Sequence, residues 1–93
     1  MRLNSRQVYE ELRKVPGWRL RGKRISRIFV FDDFMQVITF VNHLARVAER
    51  MNHHPDISIS YNRLRLSLTT HDEGGLTSRD FELAKKINSA KRP

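Results

Sequence analysis

The sequence predicts an α+β fold: one domain in the order α-β-β-α-β-β-α, with a four-stranded antiparallel sheet and helices packed on one face. Three observations lead there. Three segments repeat apolar residues at helical spacing behind capping residues, and four short segments alternate apolar with polar residues in two hairpins. No linker, low-complexity stretch or repeat beyond the hairpin echo divides the chain. Residues 1–93 are therefore expected to share one core, with a tail from about 89 to 93 that frays.

Asn4 and Gln7 form a capping box, and Val8, Leu12 and Val15 follow until Pro16-Gly17, which places the first helix at about 5 to 15. Trp18 and Leu20 then alternate with Arg19 and Arg21, Gly22-Lys23 supplies a turn, and Ile25 to Phe31 is rich in β-branched and aromatic residues. These are two strands of a hairpin. Asp33 and Gln36 make a second capping box. Behind it Phe34, Val37, Ile38, Val41, Ala45, Ala48 and Met51 hold one apolar face, giving a helix over about 33 to 52. Pro55 ends it by driving His54 into extended backbone. Ile57, Ile59 and Tyr61 alternate with Ser58 and Ser60, and Leu64, Leu66 and Leu68 with Arg65, Ser67 and Thr69, across a short Asn62-Arg63 connection. Tyr61 is expected to pack in this sheet, whereas Trp18 has two readings, packing or lining a pocket. Residues 72–75 read as a loop, Thr77 with Asp80 as a third box, and Phe81, Ala84 and Ile87 as the stripe of the last helix.

Each hairpin has one apolar face, so the sheet needs the helices as a lid. Its two edges are open, and pairing of an edge strand with a second copy is a route to a dimer; a homodimer or homotetramer is expected.

Composition narrows the function. Hydrophobic residues make up 39% of the chain and charged ones 30%, too apolar for a disordered segment and too interrupted by charge for a membrane span. The absence of cysteine excludes disulfides, thiolate metal sites, iron–sulfur clusters and cysteine nucleophiles. The first residues lack an apolar stretch and carry Glu10 and Glu11, unlike a secretory or organellar leader, so a cytoplasmic location is expected. Eighteen Lys and Arg oppose ten Asp and Glu, a net charge of +8. Of that excess, +7 lies before residue 31. A basic first third would attract an acidic protein or nucleic acid, or it would simply keep a small domain solvated.

Three of the four histidines stand at element ends: His53 and His54 at the exit of the long helix, His71 at the end of a strand. Histidine titrates near neutrality and so serves as proton donor or acceptor, and a cluster can divide the two roles. The alternative for His53-His54-Pro55 is a polar helix end, where an imidazole meets the last carbonyls. Adjacent histidines diverge on a helix and no cysteine completes a tetrahedral set, so no metal site is expected. His43 sits off the apolar stripe and is assigned no role. Asp80 reads equally as a cap for the last helix. Glu49, four residues before His53, is placed to orient that imidazole or to form an ordinary surface pair.

Glu49-x-x-x-His53-His54-Pro55, Tyr61, Thr70-His71, Gly75-Leu76-Thr77 and Asp80 together resemble the signature of the pterin-4a-carbinolamine dehydratases. The likeness runs from about Trp18 to Ile87, and its weight lies in several fixed gaps at once. The resemblance implies dehydration of a 4a-hydroxytetrahydropterin to the quinonoid dihydropterin, a step of tetrahydrobiopterin recycling, with pterin as substrate and no cofactor. It assigns acid and base roles to His54 and His71, positioning and polarisation of substrate to His53, and orientation of an imidazole to Asp80. Glu49 and Asn52 would meet the polar edge of the pterin. The basic first third is not part of the signature. A reading of a different class keeps the fold as a non-catalytic binding module: a transcriptional dimerisation cofactor, an assembly factor or a polyanion binder.

Overall fold

The computed structural model describes residues 1–91. Its elements follow in the order α1 (Ser5–Leu12), β1 (Arg19–Arg21), β2 (Arg24–Val30), α2 (Phe34–Met51), β3 (Asp56–Ser60), β4 (Arg63–Leu68), a 3-10 turn (His71–Glu73) and α3 (Ser78–Ala90). The predicted α-β-β-α-β-β-α order and the antiparallel four-stranded sheet are both present.

The strands lie in the order β1-β2-β4-β3, so the two hairpins join through the central β2·β4 pair. Register fixes the two faces. Leu20, Ile25 and Leu68 are neighbours across the sheet, as are Phe29, Leu64 and Ile59, and these side chains point toward the helices. Arg19, Ser26, Ser67 and Asp56 form one row of the opposite face. The helices cover only the first set.

Val15, Ile25, Phe29, Leu64, Leu66, Leu68, Phe81, Leu83 and Ile87 are all 3% exposed or less and make the centre of the core. From α2 it receives Val37, Phe40, Leu44 and Ala48, a stripe at spacings of three and four. This differs from the expected face: Phe34 and Ala45 are exposed, and Phe40 and Leu44 take the central places. Phe40 packs in tilted contact against both Phe29 and Phe31 at 5.4 Å between ring centroids, which ties α2 to the sheet.

Trp18 belongs to the core. It is 5% exposed, and its indole Nε1 donates to Asn88 Oδ1 at 2.8 Å. Arg27 Nη1 donates to the same oxygen at 2.6 Å and to the Pro16 carbonyl, while its guanidinium lies 4.3 Å from the Phe29 ring. Burial lowers the Arg27 guanidinium from its ordinary pKa. Gly17 is required here, because its φ is +89° and a Cβ would stand 2.6 Å from Arg27 Nε.

Several boundaries move. α1 ends at Leu12 rather than 15, because Lys14 and Val15 turn back onto the Glu11 and Leu12 carbonyls before Pro16. The box of α2 is split: Asp33 caps Gln36, but the Gln36 side chain accepts from Asp32 N. Tyr61 does not pack in the sheet. It occupies the β3–β4 turn at φ 52° and is 66% exposed. Ile57 and Ile59 also stay partly open, since β3 is an edge strand beyond the reach of the helical lid. The tail expected to fray from 89 is helical through Ala90 and capped at Lys91; residues 92 and 93 lie outside the described residues. No helix among the described residues is long and apolar enough to cross a membrane.

Candidate active site

α2 stops at Asn52, whose backbone enters the left-handed region at φ 51° and ψ 43°. Asparagine tolerates this conformation better than other residues with a Cβ. The amides of Asn52 and His53 close onto the Glu49 and Ala48 carbonyls at 3.1 Å each. The chain therefore leaves the helix axis one residue before the histidine pair, and this reversal sends the two imidazoles to different places.

His53 turns inward. It is 7% exposed, and its Nε2 lies 2.6 Å from Asp80 Oδ1. His54 stays at the surface, with Nε2 2.5 Å from Glu49 Oε2. The expected Glu49–His53 pair is thus replaced by Glu49–His54, because helical spacing ceases to apply once Asn52 breaks the helix.

Asp80 is fully buried and meets three donors. Its Oδ2 accepts from Thr70 Oγ1 at 2.8 Å and from Thr77 N at 2.9 Å, and its Oδ1 faces His53 Nε2. The capping box with Thr77 is present, so Asp80 both starts α3 and holds an imidazole. The hydroxyl hydrogens follow by elimination. Thr70 gives its own to Asp80, so across the 2.8 Å contact between the two hydroxyls Thr77 is the donor, and Thr77 Oγ1 accepts in turn from Arg79 N. A buried carboxylate is costly unless such donors surround it. Here every buried side-chain polar atom among the described residues has a partner. An ionised Asp80 can only accept, which puts a proton on His53 Nε2 and leaves Nδ1 as the acceptor of the neutral ring.

His71 begins the 3-10 turn that follows β4. Thr70 and Gly75 close this turn by exchanging backbone hydrogen bonds at 3.1 and 3.3 Å, and Gly74 at φ 71° reverses the chain. Leu3 N bonds to Leu76 O at 2.8 Å and ties the N-terminal segment behind the turn. His71 itself is exposed.

His53, His54 and His71 line one cleft of about 210 Å3, together with Asn52, Thr70 and Arg79. The three histidines singled out from sequence are thus brought together although 17 positions separate the last two. Glu49 reaches the cleft only through its contact with His54. Asn52 contributes its place in the wall, and its carbonyl accepts from Arg79 Nη2 at 2.6 Å. His43 lies elsewhere, in a groove between α2 and α3. Among the described residues no group of three or more His, Asp or Glu side chains is placed to hold a metal ion.

Two cleft residues escaped the sequence reading. Arg79 caps the C-terminal carbonyls of α2 from the first turn of α3, where its charge also meets the negative end of the α2 dipole. Thr70 is the second support of Asp80. Both act across the tertiary structure, so no local periodicity marks them; Thr70 was visible only as the residue before His71.

Residues 1–90 match the family model described as pterin 4 alpha carbinolamine dehydratase. A chain from Sulfurisphaera tokodaii, provisionally named as such a dehydratase, is 47% identical over 87 residues, covering 94% of each chain. One from Chloroflexus aurantiacus with the same provisional name is 49% identical, again over 94% of each. The crystal structure of a transcriptional coactivator/pterin dehydratase from Brucella melitensis superposes with a TM-score of 0.94 at 36% identity, covering 99% of this chain and all of that one. A pterin dehydratase-like RuBisCO assembly factor of the alpha-carboxysome shares the fold, with a TM-score of 0.68 at 22% identity over 80% of this chain and 88% of its own.

Proposed function

The chain belongs to the pterin 4 alpha carbinolamine dehydratase family, and we propose that it removes water from a 4a-hydroxytetrahydropterin to give the quinonoid dihydropterin. The supporting observation is the convergence of His53, His54 and His71 on one cleft, with His53 held by a buried Asp80.

The reaction breaks the C4a–O bond and forms a C4a=N5 double bond. One proton goes to the departing hydroxyl and one leaves N5, so atoms balance with water as the only other product. An acid and a base on opposite sides of the reacting atoms are sufficient, each typically worth about 10²- to 10⁴-fold. His54 and His71 are exposed at the cleft wall from two different elements, which suits them to these two roles. Glu49 holds the His54 ring from outside. His53, fixed in orientation by Asp80, positions and polarises the substrate. Asn52 meets the polar edge of the pterin, with Glu49 beside it.

The cleft is smaller than the roughly 300–1,000 Å3 of enclosed ligand sites. That suits a flat ring seated by one edge. The test is the decay of freshly generated 4a-hydroxytetrahydropterin, followed by ultraviolet absorbance near neutral pH with and without the protein. Acceleration over the spontaneous rate is the expected result; equal rates with a folded sample that retains pterin binding would overturn the assignment.

A further inference from the structure

The helix-free face of the sheet carries a cluster of charge that the dehydratase reading does not use. Five arginines project from it: Arg19 and Arg21 on β1, Arg24 on β2, Arg63 and Arg65 on β4. Asp56 is the one acid in the four strands, and it pairs with Arg24. The other four arginines are exposed and have no ion-pair or hydrogen-bond partner among the described residues. The basic excess of the N-terminal third is thus divided. α1 and its C-terminal cap take Arg6 and Arg13 to a different part of the molecule, while the hairpin arginines are joined by two from β4 that the sequence placed far away.

The register gives this face a shape. β1 and β4 run about 10 Å apart on either side of β2, with Arg19 opposite Ser26 and Arg65 opposite Ile28 two residues further along, so the arginines are staggered along a floor of Ser26 and Ile28. Arg19, Arg21, Ser26, Ile28, Arg63 and Arg65 all line one concavity of about 470 Å3. The floor is apolar toward its far end, where Ile28 is 45% exposed and Val30 62%. Along β2 the arginines occupy rows from Arg21 to Arg63, a diagonal of roughly 20 Å.

We propose that this groove binds the backbone of a single-stranded nucleic acid, with guanidinium groups on the phosphates and bases against the Ile28–Val30 floor. The cations are all arginine, whose planar fork pairs with phosphate oxygens and stacks on base faces. A duplex fits less well. Four strands span about 14 Å before side chains are added, wider than the roughly 12 Å major groove that admits a two-stranded ribbon.

The test uses the full chain and a fluorescent oligothymidylate of about 12 nucleotides, read by anisotropy. Binding is expected at 50 mM salt and should weaken about 50-fold by 200 mM, the slope for roughly four phosphates on a single strand. The Arg19→Glu, Arg65→Glu double variant should lose at least tenfold in affinity, whereas Arg6→Glu, Arg13→Glu, in α1 and at its C-terminal cap, should change it less than threefold. The sheet variant should dehydrate substrate at the parent rate, since neither residue touches the histidine cleft. No binding at 50 mM, equal loss in both variants, or tighter binding of duplex DNA or polyglutamate than of the single strand would each overturn the proposal.

Discussion

His53 Nε2 and Asp80 Oδ1 lie 2.6 Å apart in a pocket where the imidazole is 7% exposed and the carboxylate not at all. The pair joins the exit of α2 to the first turn of α3, so one contact serves both packing and chemistry. Because Asp80 also accepts from Thr70 and Thr77, its position is determined from three directions.

Replacing Asp80 separates these roles. Asp80→Ala leaves Thr70, Thr77 and His53 without their common partner and should cost about 3 kcal/mol in thermal or denaturant unfolding. Asp80→Asn keeps the shape and should cost about 1–2 kcal/mol. Its amide offers a donor where the carboxylate only accepted, so 15N NMR of the His53 ring should show the proton moving from Nε2 to Nδ1, with a fall in kcat beyond the loss of folded protein. A purely structural Asp80 would leave the ring tautomer and the kcat of the folded fraction unchanged.

Asn52 tests backbone against side chain. Asn52→Gly keeps the left-handed turn and should leave the unfolding free energy within a few tenths of a kcal/mol of the parent, whereas Asn52→Val should cost about 1–2 kcal/mol. With the turn retained in Asn52→Gly, a rise in KM at constant kcat is expected from loss of the side chain at the pterin edge. An unchanged KM would remove Asn52 from the substrate contacts.

How much of this was legible beforehand differs by residue. The helix caps at Asn4 and Thr77 and the alternation in β4 were local signals, and the structure follows them. The Asp80 cap was readable for the same reason. Its grip on His53 was not, because the left-handed turn at Asn52 redirects both histidines and depends on a single residue's conformation. The Glu49 pairing failed at that point. Tyr61 illustrates the same limit: its alternation with Ile57 and Ile59 suggested a buried face, but the topology puts β3 at an edge and Tyr61 in the turn. The convergence of β1 and β4 arginines likewise required strand order, which no spacing in the sequence gives.

Glu11 provides a pH-dependent check on the packing of α1. A hydrogen bond from Lys14 Nζ lowers the carboxyl from its ordinary pKa, with Lys85 on α3 adding to the effect. A depressed folded-state value means that the unfolded chain binds more protons in the window between the two values. Stability from this contact is therefore full above the ordinary carboxylate range and lost as pH falls through the lowered value. Glu11→Gln should cost less than about 1 kcal/mol at pH 7 and nothing near pH 2, and high salt should shrink the difference. A pH-independent difference between parent and variant would contradict this linkage.

The central claim is that the histidine cleft performs the dehydration, and the His54→Ala, His71→Ala double variant tests it most directly. Both side chains are exposed, so the variant should unfold close to the parent, which circular dichroism and a melting curve verify. In the 4a-hydroxytetrahydropterin decay assay the account predicts a loss of at least about 10²-fold in the catalysed rate, toward the spontaneous one. A folded double variant that dehydrates substrate as fast as the parent would contradict it.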